Sequence, residues 1–385
     1  MKASLKRYRR FNLTFLTVTL SGFLAVGAFN FIVDPFGVTN SPIFSEFNEL
    51  KIEKFNNVRL FKAVDVIRIK PKTILLGSSR SDLGLDPNHP ALANQTPYNL
   101  GLVGPNMYEV RRYFDHALTN QPNLKTVVLG IDFFMFNDYS PNSPDFDENR
   151  LNQTSLTLKD SINTIFSISA LEASKGTIAS SLQSEAYFLY HSNGLRYVYG
   201  NKPDEPLKNK FEKMIEGFLE DKSYYARYRL SQKYLNDLRH IVETCQKKNI
   251  ELKLFISPRH TIHSEAIKQA GLGSDFEEWQ RELVKIATVW DFSGYNSITT
   301  EPISDQMKNY WDSSHYRKEV GDLILNRMFK VQEKRVPNDF GVLLTSDNIE
   351  LQLAKKRVDH AVWTRQNPHL VKFVQEIERN VDREN

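Results

Sequence analysis

The chain has 385 residues, of which 41% are hydrophobic and 25% are charged, a composition within the range of ordinary globular proteins. These values exclude a wholly disordered, a collagen-like or a disulfide-scaffold protein. The length suits two or three domains, or one large domain with insertions. Cys245 is the only cysteine in the sequence, so no intramolecular disulfide or thiolate metal cluster can form.

The formal net charge of +4 is distributed unevenly along the sequence. Residues 1–33 carry five of the 50 basic residues and none of the 46 acidic ones, which leaves 45 basic against 46 acidic residues in the rest. A nucleic-acid-binding protein carries a surplus of positive charge in its folded part. The charge balance therefore argues against nucleic acid as a partner.

The N-terminus predicts a membrane anchor. Residues 11–33 contain no charged side chain, and as a helix they would span about 34 Å, enough for a hydrocarbon core of about 30 Å. The basic residues lie before this run and Asp34 lies after it, which matches the positive-inside bias. We expect a basic cytoplasmic tail at 1–10, a transmembrane anchor at 11–33, and the remainder outside the cytoplasm.

Two alternatives to an anchor remain for this segment. A cleaved signal peptide would use Ala25-Val26-Gly27 as its small-residue cleavage site. Apolar residues continue through 31–33, and a cleaved form would expose them at its new terminus, which favours the anchor. A buried core helix is the third interpretation, and the basic flank argues against it.

Short apolar runs alternate with helical patterns from residue 73 onward. The runs at 73–76, 126–129 and 252–256 each end at turn residues, which is typical of buried strands in a parallel sheet. Strands that alternate with helices predict an α/β fold, a doubly wound, flavodoxin-like sandwich. The helical patterns lie at 107–118, 234–245, 274–286 and 320–328, the third opening with a capping box at Ser274.

The same patterns divide the chain outside the anchor. A membrane-proximal connector occupies 34–72, and the α/β domain is formed by 73–133 and 223–335. The alternation stops at 134–222, which we interpret as a mostly helical insertion. The predicted segment 336–385 is a helical tail with a break at Asn367-Pro368.

The first chemistry-bearing cluster is Gly77-Ser78-Ser79-Arg80-Ser81, directly after a predicted strand. A glycine followed by small hydroxyl residues permits a sharp strand-to-helix turn that exposes one side-chain oxygen and directs backbone N–H groups to the same place. The alternative is an ordinary helix cap, for which serine is favoured.

The second cluster is Asp312-Ser313-Ser314-His315, ahead of a predicted helix. A carboxylate three residues before a histidine can accept from one ring nitrogen and leave the other free to take a proton. A surface histidine beside a capping aspartate is the alternative. Ser79 is predicted at the same sheet edge, which supplies a nucleophile for this base.

The third cluster is the segment 98–106, which runs from a short strand into a helix and contains Gly101, Gly104 and Asn106. Glycines there allow a ligand to approach the backbone, and N–H groups at a helix start can bind an oxyanion. A tight turn without a binding role is the alternative.

Together, in this order, the three clusters resemble the blocks of the SGNH hydrolase (GDSL-type) superfamily of serine esterases and acyltransferases. The resemblance implies that Ser79 is the nucleophile, His315 the base, Asp312 its partner and Gly104 an oxyanion donor. Apart from the resemblance, Arg80 is a candidate for binding an anionic substrate group, with a structural ion pair to a neighbouring carboxylate as the favoured alternative, and Asn106 is a further candidate for substrate binding. The third block departs from the family pattern, because Asp132 occurs in Gly130-Ile131-Asp132-Phe133 where Gly-x-Asn-Asp is expected. An ionised carboxylate cannot donate to an oxyanion.

The anchor and the Gly-Ser-Ser form of the first block are similar to a membrane-tethered branch of bacterial proteins, which includes those of alginate and cellulose O-acetylation and the D-alanyl transfer protein. This likeness implies an inner-membrane acyltransferase or esterase that acts on an envelope polysaccharide beside a polytopic membrane acyltransferase. A catalytically silent scaffold or glycan-binding subunit, and a hydrolase of another ester, are the alternatives. We expect no cofactor and no metal, although His260 and His263 have a spacing that a metal could use.

Overall fold

The computed structural model describes residues 2–93, 95–199 and 205–384. Its centre is a six-stranded sheet with the strand order β2-β1-β3-β6-β7-β8. All neighbouring pairs are parallel except β7 and β8, so the predicted α/β class with a mainly parallel sheet is confirmed. These strands are β1 (Thr73–Leu76), β2 (Pro97–Asn99), β3 (Thr126–Ile131), β6 (Glu251–Ile256), β7 (Val289–Asp291) and β8 (Val342–Leu344).

The middle of the sheet forms the core, because β1 and β3 are buried along their whole length. The helices around it bury one apolar face each, as their 3.6-residue spacing predicts. They are α3 (Val58–Ile69), α4 (Ser79–Gly84), α5 (Met107–Asn120), α10 (Gln232–Lys247), α11 (Thr261–Gln269), α12 (Gly273–Ile286) and α13 (Lys318–Phe329).

Two local expectations are wrong. No side-chain cap forms at Ser274, because α12 begins one residue earlier and its first turn closes on the carbonyl of Leu272. The two helices predicted on either side of Asn367-Pro368 are present as α14 (Ile349–Gln366) and α15 (Pro368–Glu384), but the segment 336–385 is not wholly helical, since β8 joins the sheet edge before them. Leu344 is buried there, and burial of this apolar residue on β7 explains why the segment is a strand.

The segment 34–72 contributes to the sheet domain as well as leading away from the N-terminal helix. It contains a short helix α2 (Glu53–Asn56) and then α3, which packs against α5. Phe61 and Val66 of α3 are fully buried. This helix is absent from the sequence-based expectations.

The segment 134–222 contains several helices and also an antiparallel hairpin of β4 (Phe188–Tyr190) and β5 (Arg196–Val198). Gly194 in the hairpin turn has φ +82°, and its Cα faces the Asn99 carbonyl so closely that a Cβ would collide with it. Residues 200–204 of this segment lie outside the described residues. Its helices are α6 (Glu148–Leu151), α7 (Leu158–Ser161), α8 (Ile168–Gln183) and α9 (Leu207–Glu220), with a π-helical turn at Ile162–Phe166.

The N-terminal helix α1 (Lys2–Val33) contains a stretch, Leu5–Val33, that is long and apolar enough to cross a membrane. Its side chains between residues 5 and 25 are exposed, whereas Asn30 and Val33 are buried against the rest of the protein. The predicted apolar N-terminal helix is therefore present, and its last turns are packed on the folded domain.

Candidate active site

Ser79, His315 and Asp312 form a chain of hydrogen bonds at the carboxyl edge of the sheet. Ser79 begins α4 directly after β1, and the other two lie in the loop before α13. The Ser79 Oγ lies 2.8 Å from His315 Nε2, and His315 Nδ1 lies 2.8 Å from Asp312 Oδ2. The structure thus brings together three residues that span 236 positions of sequence.

The surroundings of Asp312 determine how His315 is protonated. Burial by itself would raise the pKa of Asp312, but His315 and the backbone N–H groups of Ser314 and His315 hold it below its ordinary value. An ionised carboxylate only accepts hydrogen bonds, so His315 Nδ1 carries the proton. His315 Nε2 is then free to accept the proton of Ser79 Oγ.

The turn that presents Ser79 depends on Gly77 and Ser78. Gly77 has φ +142°, and a Cβ there would collide with the Gly130 carbonyl and the Ser81 side chain. Ser78 caps α4 by accepting from Arg80 N at 3.2 Å, and its hydroxyl donates to Asp132 at 2.5 Å. The helix-cap interpretation therefore applies to Ser78, and the hydroxyl one residue later faces the histidine.

Arg80, a candidate either for substrate binding or for an ion pair with a neighbouring carboxylate, is buried and its donors are used within the protein, the ion pair being with Asp132. Its Nε donates to Ser314 O at 3.0 Å, its Nη2 donates to Ser314 Oγ at 2.9 Å, and its Nη1 pairs with Asp132. With only 1% of its surface exposed, this guanidinium is not open to a substrate. The assignment to substrate binding is corrected to a structural role.

Asp132 lies directly after β3, at the position where the resemblance predicts an asparagine. Its carboxylate accepts from Ser78 Oγ and pairs with Arg80, and the residue is 1% exposed. The acidic residue is therefore matched to a buried cation, which explains why a carboxylate is tolerated here. It offers no donor to an oxyanion.

Asn106 is also corrected from substrate binding to a structural role. Its Oδ1 accepts from Glu109 N at 3.0 Å and so caps α5, and its Nδ2 donates to Ser140 O and Asn142 Oδ1. The side chain is fully buried. The sequence places it at the start of the helix, and the capping preference of asparagine is sufficient reason for it.

Gly104 lies in the wall of a cavity beside Ser79 and has φ +55°. A Cβ at this position would lie 2.9 Å from the hydroxyl of Tyr224, so these two residues are direct neighbours. The Tyr224 ring packs against Phe134 and Phe218, and burial raises the pKa of its phenol. Tyr224 therefore brings a neutral hydroxyl donor into the cavity.

The cavity has a volume of about 510 Å³ and is lined by Ser79, Asp312 and His315. Much of the remaining wall comes from the segment 134–222, through the β4–β5 hairpin and α9. The wall is mainly apolar and aromatic, which is usual for a small-ligand pocket with few polar groups. Residues that form it include Phe134, Tyr187, Phe188, Val198, Met214 and Trp311.

A second buried charge cluster supports the Ser79 turn from the hairpin side. Arg196 of β5 donates to the Ser79 carbonyl at 3.2 Å and pairs with Asp82 at 3.0 Å. Lys62 of α3 lies 2.5 Å from the same carboxylate, and burial lowers its pKa to about 8 although Asp82 opposes this. Sequence reasoning missed this cluster, because its members come from three distant segments.

His260 and His263 are both engaged in hydrogen bonds with the protein. His260 Nε2 lies 2.7 Å from the Glu301 carbonyl, and His263 bridges Ser313 Oγ and the Tyr225 hydroxyl at 3.1 Å each. Burial lowers the pKa of His260 to about 4 and that of His263 well below its ordinary value. His263 thus supports the loop that carries His315.

Comparisons with known proteins add little to this geometry. No family model and no curated protein matches the sequence. Among solved structures, a chain from Streptococcus pneumonia described as "a putative platelet activating factor" aligns with 72% of this chain and 94% of its own, at 11% identity and a TM-score of 0.33. A score that low carries no argument about fold or function.

Proposed function

We propose that this protein is a membrane-anchored serine acyltransferase or esterase of the SGNH type, acting outside the cytoplasm on an envelope polysaccharide. The observation that carries the proposal is the hydrogen-bonded chain from Ser79 through His315 to Asp312 in the wall of a cavity. A serine, a base and a carboxylate in this geometry have the relationship that acyl transfer requires.

In the proposed reaction His315 Nε2 takes the proton of Ser79 as its Oγ bonds to the ester carbonyl carbon. The tetrahedral intermediate then loses the alcohol, which receives the proton from His315, and leaves an acyl group on Ser79. A sugar hydroxyl or water next gives its proton to His315 and attacks this acyl group, which restores the Ser79 hydroxyl. Asp312 stays ionised and stabilises the charged histidine at each step.

The oxyanion requires donors that the third block does not supply. We assign this role to the backbone N–H groups of Ser79 and Gly104 and to the hydroxyl of Tyr224. The contact between Tyr224 and Gly104 supports the assignment, since it places a side-chain donor beside a backbone donor. Asp132 is excluded because its carboxylate accepts from Ser78 and Arg80.

A carbohydrate acceptor fits the aromatic walls of the cavity. Trp311 lines it, while the Arg317 guanidinium stacks 3.6 Å from the centre of the same ring. Tyr187 and Phe188 add aromatic surface from the hairpin. Flat apolar rings with a few polar groups are suited to the faces of sugar rings.

Fold and topology are part of the same proposal. We propose a doubly wound, flavodoxin-like arrangement as the finer fold assignment, and the strand order β2-β1-β3-β6-β7 supports it. The basic residues at the start of α1, ahead of its apolar stretch, support an N-in orientation in the bacterial inner membrane, with a polytopic acyltransferase as the partner that supplies the acyl group. An alkaline phosphatase fusion after residue 60 is expected to be active.

The test uses the full-length protein in nanodiscs with a chromogenic acetyl ester. We expect slow hydrolysis that accelerates when an envelope oligosaccharide is added, because a sugar hydroxyl is then available to accept the acyl group. Ser79→Ala serves as the inactive control. Rapid hydrolysis that no oligosaccharide changes would identify an esterase, and no turnover with any ester would overturn the enzymatic proposal in favour of a binding subunit.

A further inference from the structure

The segment 158–168 exposes large apolar side chains, which are unfavourable on a surface that contacts only water. Leu158 is 77% exposed, Ile162 48% and Ile168 81%. They belong to α7, the π-helical turn and the first residue of α8 respectively. Single exposed apolar residues are common, but several along one short segment indicate a contact surface.

This segment is packed against α1. Phe166 stacks on Phe23 with ring centres 5.6 Å apart, and a Cβ at Gly27 would overlap the same phenylalanine ring. Asn30 Nδ2 donates to Ile165 O at 2.8 Å, and Asn30 Oδ1 accepts from Ser174 Oγ at 2.8 Å. The π-helical turn therefore lies alongside the last ten residues of the apolar helix. These contacts fix its position along the axis of α1.

The position of this contact along α1 indicates its depth. A hydrocarbon core of about 30 Å takes about 20 helical residues, so a span that begins after Arg10 ends near Asn30. Phe23 lies seven residues before Asn30, which corresponds to about 10 Å inside that boundary. Amphipathic elements at the membrane surface reach about 5–10 Å into the headgroup and acyl region. Phe166 lies at the level of Phe23.

Polar contacts surround the C-terminal end of α1. Lys51 Nζ donates to the carbonyls of Val33 at 3.1 Å and Asp34 at 2.7 Å, which satisfies the end of α1. Asn48 Nδ2 donates to the Ile32 carbonyl at 3.1 Å. Phe31 and Ile32 are still exposed, so the exposed apolar surface of α1 continues almost to the end of the helix at Val33, where these polar contacts begin.

We infer that the segment 158–168 is inserted in the outer leaflet beside α1, with lipid acyl chains covering Leu158, Ile162 and Ile168. Lipid is the occupant because these exposed apolar side chains belong to the same short segment as Phe166, which stacks on Phe23 in the exposed apolar part of α1. The protein is then attached at two elements, which fixes its orientation above the membrane. This inference depends on α1 crossing the bilayer and not on the chemistry of Ser79.

The test places a nitroxide label on Ile162→Cys or Ile168→Cys in the full-length protein in nanodiscs, one protein per disc. The native Cys245 is buried. Protein of the natural sequence, treated with the same label, measures any label that attaches to this cysteine. Leu351→Cys is the matched control, because Leu351 is 70% exposed on α14, a helix that packs against α12 and α15. Thermal unfolding of each variant checks that it folds.

The readout is the collision of each label with oxygen, which concentrates in lipid, against collision with a water-soluble nickel chelate. We expect the oxygen-to-nickel ratio at 162 and 168 to exceed the ratio at 351 severalfold. Equal ratios at all three positions would overturn the inference in favour of a water-exposed segment. If neither reagent reaches the labels at 162 and 168, a protein partner or a second copy covers the segment, and the inference is overturned.

Discussion

Arg80 is hydrogen-bonded to Ser314, its Nε donating to the carbonyl and its Nη2 to the hydroxyl. The residue after the proposed nucleophile is thereby joined to the residue before the proposed base. The distance between Ser79 and His315 is set by this link as well as by their own hydrogen bond. Because Arg80 pairs with Asp132, the end of β3 takes part in the same connection.

Arg80→Met is expected to destabilise the protein by about 3–5 kcal/mol, because it leaves the buried Asp132 carboxylate without its cation. Adding Asp132→Asn to this variant should recover part of the loss, since the unpaired charge is then removed. Thermal unfolding in detergent measures both changes. Equal stability of the single and double variants would show that the Arg80–Asp132 pair has no part in the fold.

Ser79→Ala and His315→Ala are each expected to abolish most ester turnover, and the double variant should be little worse than either. Residues that act as one unit lose their joint contribution when either is removed. Ser81→Ala is the matched control, because Ser81 lies on the same short helix and its buried side chain packs against the backbone at Gly77 and Gly130. Additive losses of the two single variants would contradict a joint role.

Tyr224→Phe is expected to lower kcat about 10²-fold with little change in KM, the effect of one lost oxyanion donor. The ring that packs on Phe134 and Phe218 is retained, so the fold should be unaffected. Tyr228→Phe is the control, because its hydroxyl donates to the Phe133 carbonyl instead. If the two variants show the same kcat, Tyr224 does not stabilise the transition state.

The stability of the protein is expected to fall as the pH drops from about 6.5 towards 4. Burial depresses the pKa of His260 to about 4, so its neutral form is the one that the fold favours. The stabilisation is present above the unfolded value of about 6.5 and is lost as pH falls through the folded value, a change of about 3 kcal/mol. His263 acts in the same direction.

His260→Asn tests this assignment, because asparagine cannot acquire the charge and can still cap α11 as His260 does. Melting temperatures at pH 7.5 and pH 4.5 should differ less in the variant than in the natural protein. An unchanged difference would assign the acid sensitivity to other groups.

The sequence predicts the parts of this fold that depend on local pattern. The buried strands at 73–76 and 126–129 follow from apolar runs between turn residues, and α5 and α10 follow from their spacing. The placement of Ser79 and His315 at one sheet edge follows from the general rule that parallel strands end together. These features require no knowledge of which distant side chains meet.

Features that depend on contacts between distant segments could not be predicted in this way. The pairing of Arg196 with Asp82 and of Arg80 with Asp132 joins residues that no local pattern relates. Asn106 was misassigned because helix capping and ligand binding favour the same residue type at a helix start. The β4–β5 hairpin could not be predicted from a local pattern, because each of its strands has only three residues.

The central claim is that Ser79 is a nucleophile activated by His315. The most direct test incubates the full-length protein with a fluorophosphonate, which bonds covalently to activated serines, and locates the adduct by mass spectrometry of peptides. We expect one adduct per chain, on Ser79, and its loss in His315→Ala while Ser81→Ala is labelled like the natural protein. A folded protein that carries no adduct on Ser79, or labels Ser79 equally well without His315, would contradict the account.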